Sequence, residues 1–287
     1  MVQKLYFGRK FRIMKQKITL IAAFMLLTVL ATFGQSDELN FEKIIYQDVT
    51  IEADEYTVEI SNVVSTTAEA KFKFKIINKT ADFLLFDASK CKFEIAGTSY
   101  TPKDKFVIVD PYDSKSKTIA VTGTGLNKVK TYSFTLGGVQ RVVPLSEITD
   151  VPAFKLPVSK NDFSAGKFNA QLKNSKKESG ATFVKFDVQY RGDKIGFIYP
   201  SKIDVTMPDG NNYANADTKG KTFLMFPGDS EKFSANWGKM PGGRANDMQM
   251  VEMFVNFNGV FAEGEARDLE MKTVEISWNE ALTTAAK

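Results

Sequence analysis

The sequence predicts an all-β protein: two tandem immunoglobulin-like antiparallel β-sandwich domains behind a cleaved N-terminal signal peptide. Three observations lead there. Apolar and polar residues alternate strictly, the period of half-buried strands. The alternating pattern recurs at an offset too long for a solenoid unit, which repeats every 20–50 residues. The N-terminus is basic and then apolar, in the secretory order.

Alternation is clearest in Ala70-Lys71-Phe72-Lys73-Phe74-Lys75-Ile76, which puts apolar residues on one face and three lysines on the other. A second such run is Val184-Lys185-Phe186-Asp187-Val188-Gln189-Tyr190. Around these two strands the chain matches itself. Asn78-Lys79-Thr80 corresponds to Arg191-Gly192-Asp193, Ser89–Phe93 to Ser201–Val205, and Phe106–Val109 to Phe223–Phe226. The offset grows from 112 residues (Tyr56 to Phe168) to 121 (Val139 to Val260) as loop insertions accumulate. Gly137-Gly138 and Asn258-Gly259 have the composition of two-residue hairpin turns. The organisation read from this is a signal peptide over 1–34, a first sandwich repeat over 35–155, a second over 156–280 and a frayed tail over 281–287. Seven or eight strands per repeat suit an immunoglobulin-like sandwich; a single fused barrel is the competing architecture.

Residues 1–34 hold six of the 38 Lys and Arg residues and none of the 34 Asp and Glu. The uncharged run Ile18–Phe33 is short for a bilayer span, which takes about 20 apolar residues, so cleavage is expected, between Gly34 and Gln35. Met14 could itself begin a complete signal peptide. No cysteine follows the apolar run to carry a lipid. The mature chain then has 32 basic against 34 acidic residues, and its formal charge moves from +4 to −2. That removes the case for a nucleic-acid or anionic-membrane partner, which needs a basic patch. No membrane span is expected after cleavage, and the expected location is the periplasm, the cell surface or the medium.

The chain has no histidine and a single cysteine, Cys91. This excludes Ser-His-Asp and Cys-His catalysis, His-ligated zinc and an internal disulfide. Stability must come from apolar packing, for which 24 phenylalanines supply material.

The alternating strand Ala70–Ile76, the Asn78-Lys79-Thr80 loop after it and the Phe93…Tyr100 hairpin resemble small exported bacterial immunoglobulin-like domains, including those similar to late-embryogenesis-abundant domains. The resemblance covers most of both repeats. It implies a scaffold and a location outside the cytoplasm, and it transfers no functional residue.

Several segments are candidates for chemistry. Tyr199, Phe226 and Trp237, with Arg244 in the Gly- and Pro-rich stretch that follows, could form a sugar-stacking or protein-binding face, since loops at sandwich ends carry binding; a buried tryptophan in a long connection is the alternative. Asp209, Asn211 and Asp217 offer oxygen donors for calcium, which needs six to eight converging oxygens, although Pro208-Asp209-Gly210-Asn211 also reads as a turn. Arg191-Gly192-Asp193 spells an integrin-recognition tripeptide where an ordinary turn would also fit. Asn78-Lys79-Thr80 is a formal glycosylation acceptor. Cys91 alternates onto the core face, where the sister repeat has Ile203, and reads as a small hydrophobe. No pair of carboxylates is placed in a cleft. The expectation is a non-catalytic exported binding or structural module without a cofactor, with a protein or glycan as partner. A carbohydrate-binding surface protein is the alternative.

Overall fold

The computed structural model describes residues 41–103, 105–216 and 220–286. The proposed signal peptide and its cleavage point lie outside the described residues. Within them the protein is predominantly β, and no helix is long and apolar enough to cross a membrane.

The first half contains β1 (Lys43–Ile45), β2 (Val49–Glu52), β3 (Tyr56–Thr66), β4 (Glu69–Asn78), β5 (Phe83–Asp87), β6 (Lys92–Ile95), β7 (Thr98–Tyr100), β8 (Phe106–Val109), β9 (Ser114–Thr122), β10 (Thr131–Leu136) and β11 (Val139–Ile148). The second contains β12 (Phe154–Leu156), β13 (Asp162–Ala165), β14 (Phe168–Glu178), β15 (Ala181–Tyr190), β16 (Ile195–Ile198), β17 (Asp204–Thr206), β18 (Asn212–Ala214), β19 (Phe223–Met225), β20 (Ser230–Gly238), β21 (Met253–Asn256), β22 (Phe261–Asp268) and β23 (Lys272–Ser277). A short helix, α1 (Glu280–Ala285), follows.

The alternating runs become the centres of two sheets, one ordered β1-β3-β4-β9 with β2 also paired to β3, the other β13-β14-β15-β20. In β4, Phe72, Phe74 and Ile76 are buried while Lys71 and Lys73 face water. This is the division that period-2 patterning dictates, because successive side chains leave opposite faces of a strand. Each sheet covers a core. In the first, Phe72 stacks on Phe93 with centroids 5.2 Å apart and meets Phe134 edge-on at 5.0 Å. In the second, Phe186 meets Phe154 and Phe257 edge-on, each at 5.4 Å. Each fully buried phenylalanine contributes about 1.5–3 kcal/mol relative to exposure.

The remaining sheets do not follow the linear division at residues 155/156. One is ordered β23-β10-β6-β7 and another β12-β21-β17-β18. The strand after β11 therefore completes the second half, and the strand after β22 returns to complete the first. Between them runs a six-stranded sheet, β19-β16-β22-β11-β5-β8, drawn equally from both halves. Its centre is the antiparallel ladder of β11 on β22, from Gln140↔Asp268 to Ile148↔Phe261, with a bulge between Pro144 and Ser146. One face of this sheet contributes Leu84, Phe86 and Val139 to the first core and Ile198, Met225 and Phe261 to the second. The other face carries a third core of Phe83, Leu85, Val142, Ile195, Phe197 and Ala262.

Two expectations are corrected here. Gly137-Gly138 is not a hairpin turn, because β10 and β11 do not pair with each other. It bends the chain from one sheet into the next, close over the turn Ala88–Lys90. A Cβ on Gly137 would meet the Lys90 carbonyl, and one on Gly138, at φ +70°, the Asp87 carbonyl. Asn258-Gly259 makes the corresponding passage from β21 to β22. The frayed tail expected over Ala281–Lys287 gives way to α1 as far as Ala285, with Lys287 outside the described residues; the helix is capped by the Asn279 side chain, which accepts from the Leu282 N–H at 3.1 Å. Its Thr283, 1% exposed, clasps the end of β1. The Thr283 hydroxyl accepts from the Ile45 N–H and from Trp278 Nε1, each at 2.9 Å, and donates to the Ile45 carbonyl.

Because each half is completed by a strand from the other, they are expected to unfold together. In a Trp278→Phe background, Trp237 fluorescence reports the second core alone. Phe93→Ala, in the first core, should remove about 3–5 kcal/mol and lower the urea midpoint seen by Trp237. Independent halves would leave that midpoint unmoved.

Candidate binding surface

The six-stranded sheet curls until its two edges meet. β8 and β19 are its opposite ends, yet the Phe106 and Phe226 rings lie edge-to-face at 5.7 Å, and Lys221 pairs with Asp110 at 3.2 Å. These contacts set residues 106–110 alongside 226–221 in antiparallel sense. No described strand pairs with either of them on this side, so side chains alone close the seam. Behind it lies the third core, whose half-buried margin includes Ile108, Leu224, Phe226, Tyr199 and Ala266. Phe106 is 52% exposed and Tyr112, in the turn after β8, 72%. Large aromatic groups held this far into water on a rigid edge are unusual, since burial of such a ring is worth several times the thermal energy.

Tyr199 sits at one mouth of the curled sheet. Its ring lies parallel to that of Phe197, 5.9 Å away, and the Lys202 ammonium stands 4.7 Å above it. Lys202 also pairs with Glu147 at 2.5 Å. Burial, with the nearby Glu147 and Asp82 carboxylates, pushes the Tyr199 hydroxyl up to about 12. Arg141 closes the same rim through its guanidinium, which donates to Asp82 at 2.6 and 2.7 Å.

The structure separates the residues expected to form one aromatic face. Tyr199 follows Ile198, which pairs with Phe223, whereas Phe226 follows Met225, which pairs with Gly196. They are thus about 13 Å apart along the ladder at the strand rise. Trp237 is in neither place. It is 1% exposed in the second core, its Nε1 donating to the Tyr213 carbonyl at 3.0 Å, and it offers no ring face to a sugar. Arg244 is exposed, in a turn at Gly243–Asn246 on the far side of that core.

The oxygen donors are likewise engaged. The Asp209 carboxylate accepts from the Asn211 N–H at 2.9 Å, the Tyr213 hydroxyl at 3.2 Å and Asn246 Nδ2 at 2.6 Å. The Asn246, Asn211 and Tyr213 donors hold its carboxyl down to about 2. Asn246 also donates to the Pro241 carbonyl at 2.7 Å, so Asp209 latches the Gly-rich loop to the β17–β18 turn. Asn211 is exposed in that turn, and Asp217 lies outside the described residues. Among the described residues no group of three acidic or cysteine side chains is placed to hold a metal.

Three further motifs resolve into structure. Gly192 of the Arg-Gly-Asp tripeptide is buried, a Cβ there colliding with the Tyr190 phenol and Glu263, while Arg191 and Asp193 on either side of it are exposed. Asn78 is 2% exposed: Nδ2 donates to the Asp82 and Asp110 carbonyls at 2.7 and 3.0 Å, and Oδ1 accepts from the Thr80 N–H at 2.9 Å. An amide so placed cannot receive a glycan. Cys91 is fully buried in the first core, and burial pushes its thiol up to about 11.

What the sequence reading passed over is the pair Phe106 and Tyr112. Phe106 begins an apolar run, Phe106-Val107-Ile108-Val109, that reads as core from end to end. Only Val107 and Val109 point into the first core; the alternate positions turn to the seam.

No family model matches the sequence, and no curated protein matches it. Among solved structures, similarity is found to a transglutaminase from red sea bream, with 7% identity over 78% of this chain and 31% of that one and a TM-score of 0.20. A conserved domain protein from Bacillus anthracis is 10% identical over 84% of this chain and 94% of that one, with a TM-score of 0.21. The secreted serine protease VesC from Vibrio cholerae is 8% identical over 74% and 48%, with a TM-score of 0.14. The chain spans less than a third of the transglutaminase. Scores of this size carry no argument about this chain.

Two outcomes are expected. Asp209 has a depressed folded-state pKa, so its contribution to stability is complete above the ordinary value of 3.8 and is lost as pH falls toward about 2. The stability advantage of the parent over Asp209→Asn, measured by urea titration, should therefore shrink across that window and be constant above it. Cys91 should resist a disulfide-exchange reagent at pH 8 in the native protein and react stoichiometrically in denaturant; rapid native labelling would contradict its placement.

Proposed function

We propose that the chain is a non-catalytic, exported binding module of two related immunoglobulin-like sandwiches, and that it takes a protein partner at the β8–β19 seam. The observation that carries this reading is the seam itself. Two strand edges with no described strand neighbour on this side face each other there, flanked by the exposed Phe106 and Tyr112 and backed by an apolar core. An unpaired edge can hydrogen-bond an extended segment along its backbone, and an aromatic beside it supplies the anchor. The immunoglobulin-like reading is supported by the antiparallel sheets packed over each of the two main cores and by the recurrence of element order from β2–β11 to β13–β22. Export is supported by the six basic residues and the apolar run that open the sequence.

The sugar-binding alternative rested on Tyr199, Phe226 and Trp237 acting together, and no observation now favours it.

The test places a photoreactive phenylalanine analogue at position 106, and at Met250 as an exposed control, in cells that export the full chain. Expected are a mature N-terminus at Gln35 and an adduct formed at 106 and not at 250. Phe106→Asp should weaken capture of the partner at least tenfold, the equivalent of about 1.4 kcal/mol, with an unchanged thermal midpoint. A cytoplasmic chain with its N-terminus intact would overturn the location, and equal labelling at both positions would overturn the surface.

A further inference from the structure

We propose that the C-terminal segment, β23 with α1, is an exchangeable strand. The edge of β10, with Ile45–Gln47 beside it, is then an acceptor groove that takes this segment from a second copy of the chain.

The groove is defined by what fills it. β23 pairs with β10 from Thr131↔Ser277 to Leu136↔Lys272, and Ile276 drops into the first core with no exposure. Beyond the strand, the Gln47 N–H donates to the Ser277 carbonyl at 2.8 Å, the Trp278 N–H to the Lys130 carbonyl at 2.7 Å and the Asn279 N–H to the Ile45 carbonyl at 2.9 Å. The Thr283 clasp completes the seat. The first half cannot supply this strand itself, because the segment after its own β11 is β12. There Phe154 and Leu156 are buried in the second core. The groove is therefore built to receive a strand from elsewhere, and the two halves already exchange strands in this way within one chain.

β23 joins β22 through Leu269-Glu270-Met271, of which Leu269 donates its N–H to the Val139 carbonyl at 2.9 Å. Of these three, Glu270 and Met271 face water, Met271 at 67% exposure. A β23 seated on a second copy makes every contact that it makes in its own, so the two states differ only at this hinge and in the entropy of association. A short tether holds its own strand at an effective concentration on the order of millimolar. The closed monomer is thus favoured in dilute solution, and exchange grows when chains refold together at high concentration.

The test uses the cross-strand pair Thr135 and Thr273, whose hydroxyl oxygens are 3.0 Å apart. Cys91→Val removes the native thiol from the full chain. In that background, Thr135→Cys with Thr273→Cys in one chain should give an intrachain disulfide, a check on the register. The two single variants are then mixed, partly unfolded, refolded at increasing concentration and oxidised. The expected result is a disulfide heterodimer of Thr135→Cys with Thr273→Cys that rises with concentration and exceeds both homodimers. Light scattering of the thiol-free chain, refolded the same way, should show a growing dimer fraction. A scattering mass that stays monomeric at every concentration, or heterodimer no more abundant than homodimer, overturns the proposal.

Discussion

The pairing of β11 with β22 is the constraint on which the rest of the molecule depends. It converts two three-stranded pieces, one from each half, into one six-stranded sheet. Two residues make it possible. Pro144 has no N–H to offer the ladder, and a proline inside a sheet is tolerated where a bulge relieves it; the register shifts between Pro144 and Ser146. Opposite stands Gly264. A Cβ there would collide with the Val143 carbonyl and the Phe197 ring, so the missing side chain lets Phe197 lie flat over the junction. Any residue larger than glycine would force apart the strand pair that joins the two halves.

From that ladder the three cores follow. A sheet buried on both faces must be apolar on both, and β5 and β16 are: Phe83-Leu84-Leu85-Phe86 and Ile195-Gly196-Phe197-Ile198 are buried at every position. One set of faces closes the two main cores, and the other carries the third. Curling covers that third core, because bringing β8 toward β19 wraps the sheet around its own exposed face. The right-handed twist of strands favours such coiling. The seam is where the coil runs out. The strands touch through side chains, and no described strand forms a ladder with either of them on this side.

Much of this organisation was legible in the sequence. The strands β4 and β15 were plain because each has one wet face and one dry face, and only a period of two satisfies both. The repeat was plain because the same elements return in the same order. The strand exchange was not, for a definite reason: alternation states which side chains are buried, and it says nothing about which neighbour a strand pairs with. Val274 and Ile276 would suit either core's edge. Trp237 was misplaced by its neighbours, since Gly238-Lys239-Met240-Pro241-Gly242-Gly243 reads as a loop. Phe233-x-Ala235-x-Trp237 nevertheless carried the inward-facing period. The C-terminal helix also left a signal in Asn279-Glu280, a capping asparagine followed by an acid in the first turn.

The seam gains its character from two halves of like element order joined in one chain. β8 and β19 hold the same place in that order, as β11 and β22 do, and each pair runs antiparallel across the junction. The topology is that of a two-fold assembly of one repeat. In a true homodimer a contact across the axis occurs twice, once at each end, so a residue that suits one end must suit the other. Two halves of different sequence in one chain are free of that requirement. The two ends of the seam have accordingly separated in chemistry: Phe106 on Phe226 at one, and Asp110 with Lys221 at the other. An extended segment entering between them would meet an apolar end and an ionic end, and so could lie in only one direction. Polarity of that kind is unavailable to a symmetric pair of identical halves. It follows here from the different residues of two halves held in register by the ladder of β11 on β22.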